Sequence, residues 1–164
     1  METLILNATN IARKITRMAY EIAEQNADEN ALTLVGIRDR GYELALRLQA
    51  ELKNILHIPV ELHEITLDKI RPAEHDIRTS LPASGITGRV LVFVDDVANS
   101  GKTLLYAMKP LLEHLPKKVS VAVLIDRKHK QFPVSPDIVG LTLSTNMQEH
   151  VNVKLGEQEG VYLS

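Results

Sequence analysis

Two carboxylates in tandem stand where an apolar run gives way to small and polar residues. The string reads Val90-Leu-Val-Phe-Val-Asp95-Asp96, then Val97, Ala98, Asn99, Ser100, Gly101, Lys102 and Thr103. The second half has the make-up of an anion cradle. Backbone N–H groups in a turn opening a helix, with the positive end of that helix, hold phosphate oxygens. Gly101 lets the backbone come close, and the Ser100 and Thr103 hydroxyls can donate. The acids would repel a bare phosphate, but they accept hydrogen bonds from sugar hydroxyls. A ligand carrying a phosphate beside a polyol satisfies both halves, so the pattern points to a sugar phosphate.

Two other readings of this string exist. Ser-Gly-Lys-Thr echoes the end of a nucleotide-binding P-loop, but that motif needs glycine where Asp96 stands, and a carboxylate would fill the phosphate space. Asp95 and Asp96 could also merely cap the helix and shape a turn. A second constellation, Arg38, Asp39, Arg40 and Gly41, follows the apolar run Ala31–Ile37. Read alone, its two arginines are equally well explained as solvated loop charges.

The elements that must position these residues alternate. Ile11, Ile15, Met18, Ala19 and Ile22 recur at helical spacing, which predicts an amphipathic helix over about residues 10–26. Ala31–Ile37 reads as a buried strand. Leu44, Ala45, Leu48 and Leu52 mark a second helix closing near Asn54, and Pro59–Leu67 a further strand. Val90–Val94 is a buried strand, Gly101–His114 a helix and Val119–Ile125 another buried strand; the rest holds short Val- and Leu-containing pieces. Strand–helix alternation with fully apolar strands implies an open α/β fold, its mainly parallel sheet covered by helices on both faces. Ligands of such sheets bind at the carboxyl ends of the strands, where Asp95 and Asp96 lie. Residues 68–88, with Asp68, Lys69, Arg71, Glu74, His75, Asp76 and Arg78, have no clear period. At about 20 residues the segment has the length of a functional lid or of a disordered loop.

Composition narrows the classes. The chain has 164 residues, the size of one domain with one full core. No run is apolar for the roughly 18–20 residues of a membrane span, and the first residues lack the order of a signal peptide, so a cytoplasmic protein is expected. A net charge of −2 argues against a nucleic-acid packaging role. Without cysteine there is no disulfide, thiolate metal site or thiol nucleophile. The six histidines form no i,i+4 pair, so no metal-ligating residue is assigned. Aromatics at 4%, with no Trp, argue against a base-stacking platform for single strands.

The string Val-Asp-Asp-Val-Ala-Asn-Ser-Gly-Lys-Thr resembles the phosphoribosyl pyrophosphate motif of type I phosphoribosyltransferases, with Ser100 where that loop usually has Thr. Ile15–Ile22, Leu34–Gly41, Val121–His129 and Phe132–Gly140 narrow the resemblance to the bifunctional pyrimidine operon attenuator/uracil phosphoribosyltransferase family, over roughly Ile11 to Leu155. The resemblance implies a single phosphoribosyltransferase domain over residues 1–164, with a flexible lid at about 68–88. It implies transfer of ribose 5-phosphate to a nucleobase, uracil favoured, with release of pyrophosphate. Asp96, Lys69 and Arg71 would be catalytic, with Arg78 a further lid cation. Asp95 through Thr103 would hold the sugar phosphate, and Arg38, Asp39, Arg40 and Gly41 the pyrophosphate. Asp126 and Arg127, in the segment Asp126–His129, would lie beside the base. Mg²⁺ would be bound mainly through the pyrophosphate and ribose.

A homodimer or larger assembly is implied, and the alternative activity is that of a nucleotide-sensing, RNA-binding regulator of pyrimidine genes. Arg13, Lys14, Arg17 and the 127–130 cluster are the residues that could form its basic face. The chain departs from the family at Tyr20, where the family has His, and at Pro133–Pro136, where it has an Arg. Both positions resemble ones used toward RNA. The lid also departs, with Asp68-Lys-Ile-Arg-Pro72 after Thr66-Leu67.

Overall fold

In a computed structural model, which describes residues 1–164, the first strand β1 (Thr3–Asn7) leads directly into helix α1 (Ala8–Gln25). Asn7 caps α1 through its side-chain oxygen, which accepts the Asn10 N–H at 2.9 Å, and the Asn10 side chain accepts the Asn7 N–H in return. Such a reciprocal cap satisfies backbone donors that a helix start leaves orphaned. The periodic residues Ile11, Ile15, Met18, Ala19 and Ile22 are all buried.

The chain then alternates. Strand β2 (Leu32–Ile37), helix α2 (Arg40–Ile55), β3 (Val60–Thr66), β4 (Arg78–Thr79), β5 (Val90–Ala98), α3 (Lys102–Ala107), β6 (Lys118–Asp126) and β7 (Ile138–Thr142) follow in turn. They build a six-stranded sheet in the order β4-β3-β2-β5-β6-β7, parallel except for β4. Strands β8 (Val151–Lys154) and β9 (Gly160–Leu163) pair with each other and, through β9, with β1 in a separate antiparallel sheet. No sequence signal set this small sheet apart, because its strands pair across almost the whole chain length.

The continuous apolar strands divide their side chains between two cores, as the period of two requires. Leu32, Leu34, Val90, Val92, Val94 and Leu124 pack under α1 and α2. Val35, Ile37, Leu91, Phe93, Val121 and Val123 face the other way, onto Leu104, Ala107, Leu81 and Ile86. The expected architecture is therefore present, with two long helices on one face and only α3 and turns on the other.

Three expectations change in detail. The helix expected over Gly101–His114 ends at Ala107 and passes into a 3₁₀ turn at Lys109–Leu111. Pro110 has no N–H to continue the α-helical ladder, and its ring crowds the preceding turn. Strand β5 runs on through the acid pair to Ala98, so Asp95 and Asp96 are strand residues. The segment 68–88 has two halves. Arg78–Thr79 pair with β3, and Leu81 and Ile86 are buried, which anchors the second half to the core. Residues 68–77 remain as the part that overhangs the sheet edge. No helix is long and apolar enough to cross a membrane.

Helix α2 is drawn tightly onto the sheet at Gly36, where a Cβ would stand 2.5 Å from the Tyr42 Cα. Gly36→Ala should destabilise the fold by about 1–3 kcal/mol through overpacking. A urea midpoint that falls with an unchanged m-value would confirm this; an unshifted midpoint would contradict it.

Candidate functional site

Four loops meet at the carboxyl edge of the parallel strands, those leaving β2, β3, β5 and β6. At the centre lies the acid pair. Asp95 and Asp96 are only 2% and 7% exposed. Asp95 Oδ1 accepts the Asp96 N–H at 2.9 Å, and Asp96 Oδ1 accepts the Val97 N–H at 2.9 Å. Lys69 Nζ stands 3.6 Å from Asp95 Oδ1, and Arg40 Nη1 3.9 Å from Asp96 Oδ2. Burial, and then the neighbouring charge of Asp96, push the Asp95 carboxyl well above the usual carboxylate range. The Lys69 ammonium opposes that shift without cancelling it. Gly41 makes room for the pair: a Cβ there would meet the Val94 carbonyl oxygen at 2.6 Å and Asp95 Oδ1 at 3.0 Å.

The loop after β5 wraps a small cavity of about 40 Å³, lined by Asp95, Val97, Ala98 and every residue from Asn99 to Leu104. Gly101 has φ +86°, the left-handed region, and a Cβ on it would lie 3.0 Å from the Val134 carbonyl oxygen. The loop is braced from behind by the Gln131 and Phe132 N–H groups, which donate to the Ser100 carbonyl at 2.9 and 3.0 Å. Because α3 has six residues, its macrodipole is small, and the anion-binding capacity rests on individual N–H groups.

On one side a cavity of about 400 Å³ is lined by Arg38, Asp39, Arg40, Thr66, Leu67, Lys69 and Asp96. The Arg38–Asp39 peptide is cis. Arg38 is already engaged by Glu64 and lies over the Tyr42 ring at 4.9 Å, so Arg40 is the freer of the two arginines. Asp39 precedes α2 without a side-chain cap bond. The lid cations separate. Lys69 enters this cavity, whereas Arg71 points to solvent and pairs with Glu74 at 3.4 Å, and Arg78 sits exposed on β4. Lys102 Nζ ties the loop after β5 to the overhanging segment by donating to the Ile70 carbonyl at 3.2 Å.

On the other side a cavity of about 370 Å³ is lined by Asn99, Ser100, Arg127, His129, Lys130, Gln131 and Met147. Asp126 faces the Lys130 ammonium and accepts the Lys128 N–H at 3.1 Å. Arg127 is turned inward onto Asn99 and residues 145–149. His129 Nε2 lies 2.8 Å from the Thr145 carbonyl. Arg127, His129 and Lys130 of the 127–130 cluster thus form a pocket wall, and Lys128 is exposed. On α1, Arg17 is likewise engaged, by Glu21 and by the Val139 and Gly140 carbonyls. The sequence reading named Lys130 only for a basic face and Thr66 and Leu67 only ahead of the lid, and it missed Gln131, Met147 and the rest of the 145–149 loop. None lies in a recognisable motif, and the fold alone brings them to this edge.

Comparison with known proteins gives the family and the fold. Residues 3–158 match the phosphoribosyl transferase domain family. The bifunctional protein PyrR of Roseiflexus is 41% identical, over 97% of this chain and 91% of its own length. That of Streptomyces coelicolor is 40% identical, over 95% and 84%. Among solved structures, the hypoxanthine phosphoribosyltransferase of Trypanosoma cruzi superimposes with a TM-score of 0.72 at 20% identity, covering 85% of this chain and 80% of that one. A hypoxanthine-guanine phosphoribosyltransferase of Bacillus anthracis gives 0.68 at 17%, covering 85% and 81%. At such identities these two speak for the fold alone. The chain belongs to the phosphoribosyltransferase family, in the group of the bifunctional PyrR proteins.

Proposed function

We propose that this chain transfers the phosphoribosyl group of phosphoribosyl pyrophosphate to uracil, using the three adjoining cavities as one site. The observation that carries this reading is their order. The small cradle of residues 99–103 is flanked by the basic cavity through Asp95 and Asp96, and by the 370 Å³ cavity through the shared Asn99 and Ser100. The 5′-phosphate would occupy the cradle, the ribose hydroxyls would donate to Asp95 and Asp96, the pyrophosphate would meet Arg40 and Lys69, and the base would enter beside Asp126–Gln131. Uracil is the base favoured by the sequence resemblance. The cytoplasm is the proposed location, and a homodimer or larger assembly the proposed working form.

The reaction needs no protein nucleophile. A base nitrogen forms the bond to C1 of the ribose and releases its proton to water, while the bond from C1 to the pyrophosphate oxygen breaks with its electrons going to the leaving group. The protein aligns the two reactants and stabilises charge building on pyrophosphate. Residues 68–77 would exclude water, which competes for the same carbon.

Mg²⁺ fits the donors present. Two carboxylates at a strand end, without a cage of three protein ligands, suit a cation held mainly through substrate oxygens. Asp95 and Asp96 would hold it, and it would neutralise charge on the pyrophosphate. The relatives' description as bifunctional leaves a second activity to seek in this chain. The sequence resemblance assigns that activity to RNA binding, with exposed residues of α1 such as Arg13 as the residues to test.

Pyrophosphate release, screened over uracil, hypoxanthine, guanine, adenine, xanthine and orotate, should require phosphoribosyl pyrophosphate and Mg²⁺ and be fastest with uracil. Asp96→Asn should lower kcat by about 100-fold, the scale of removing one preorganised charge. Unchanged turnover would refute the assignment. Since Lys69 reaches the site and Arg71 does not, Lys69→Ala should lower kcat further than Arg71→Ala; the reverse order would reassign the lid cation.

Asp95 should show the stability cost of the site. Its raised pKa means that folding favours the protonated form. The stability linked to that form is complete below the unfolded value of about 3.9 and is lost as pH rises through the folded value. Asp95→Asn should therefore match the parent near pH 4 and exceed it in Tm increasingly toward pH 8, while losing activity. A Tm difference independent of pH would contradict this account.

A further inference from the structure

Arg127 stands between two parts of the site that are far apart in sequence. Its guanidinium makes four hydrogen bonds using all three nitrogens. Nη1 donates to Asn99 Oδ1 at 3.1 Å, and Nε donates to Thr145 Oγ1 at 2.9 Å. Nη2 donates to the carbonyls of Asn146 and Glu149 at 3.2 and 2.6 Å. One end of this fork is the loop that forms the small anion cradle. The other is the irregular segment between β7 and β8.

That segment is organised for such a hold. Asn146 Oδ1 accepts the N–H groups of Gln148 and Glu149 at 2.9 and 3.0 Å, and Glu149 Oε2 accepts the Asn146 N–H at 2.7 Å. Residues 145–149 are thus a closed turn, attached to the body by Arg127 and by the His129 contact to Thr145. The turn carries Met147, the one apolar side chain lining the 370 Å³ cavity, itself 77% exposed. Asn99, at the other end, lines both that cavity and the cradle.

We propose that Arg127 is a positioning residue: through Asn99 and the 145–149 turn it makes the phosphate cradle and the wall of the base cavity one unit, so that filling the cradle orders the place where the base will sit. The proposal rests on the phosphoribosyl pyrophosphate reading of the cradle. A guanidinium suits the task because its planar fork holds several acceptors in fixed directions. Lysine, a point charge on a flexible stem, would keep the charge and lose the simultaneous contacts. With its donors committed in this way, Arg127 acts on the base through the turn. The sequence resemblance sets Arg127 beside the base, and Arg127 does line the 370 Å³ cavity.

The test is hydrogen exchange with and without phosphoribosyl pyrophosphate and Mg²⁺, joined to steady-state kinetics. In the parent protein the ligand should slow exchange at residues 99–103 and also at 145–149. In Arg127→Lys the slowing should remain at 99–103 and vanish at 145–149. KM for uracil should rise by about tenfold, roughly the loss of one charge-assisted hydrogen bond, with KM for phosphoribosyl pyrophosphate within about twofold.

Asn99→Ala cuts the link at the cradle while leaving the Arg127 bonds to the turn. It should likewise confine the slowing to the cradle, and it serves if Arg127→Lys folds poorly. Ligand-induced slowing at 145–149 that survives in both variants, or a parallel rise of both KM values, would overturn the coupling. No slowing at 99–103 in the parent would refute the cradle assignment, and with it the coupling. That outcome is distinct from a loss of slowing at 145–149 alone.

Discussion

The burial of a carboxylate pair at the end of a central strand is the constraint on which the rest of this structure depends. A charge removed from water is costly unless it is paired and hydrogen-bonded. Here the compensation is partial. Asp95 receives one backbone N–H and a lysine from the overhanging segment, while Asp96 beside it works against its ionisation. The protein alone therefore leaves the acid pair incompletely compensated. Stability given up at such a position is a recurrent feature of functional sites.

Close packing around the pair follows from that placement. Helix α2 can begin beside Asp95 only because Gly36 and Gly41 leave space where side chains would collide with backbone. This brings Arg40 over Asp96 and sets the basic cavity directly against the acids. On the far side of β5, parallel pairing with β6 puts Ala98 level with Asp126. The 40 Å³ and 370 Å³ cavities therefore share an edge. The three cavities are neighbours because β2, β5 and β6 are neighbours.

Much of this was legible in the residues. The apolar strands announced a sheet covered on two faces, and the helical period of Ile11 to Ile22 marked α1 within two residues at its start and one at its end. The acid pair and its loop gave the sugar-phosphate reading by composition and order alone. Other features were not legible. Pro110 shortened a helix whose apolar pattern continued past it. Residues 78–88 looked like free loop because two paired residues, Arg78 and Thr79, and two buried ones, Leu81 and Ile86, are too few to form a period.

What the sequence determined by itself is local: strands, helix starts, and the acid–cradle string, each set by side-chain type and spacing over a few residues. What the tertiary structure decided is which partner each charge meets. Lys69, Arg71, Arg38, Arg40 and Arg127 are indistinguishable as cations in a string. Folding sends Lys69 to Asp95, Arg71 to Glu74, Arg38 to Glu64, and Arg127 to a turn 18–22 residues further along. The reason is that a charged side chain takes its role from the partner within reach, and partners distant in sequence become neighbours only when the sheet has formed.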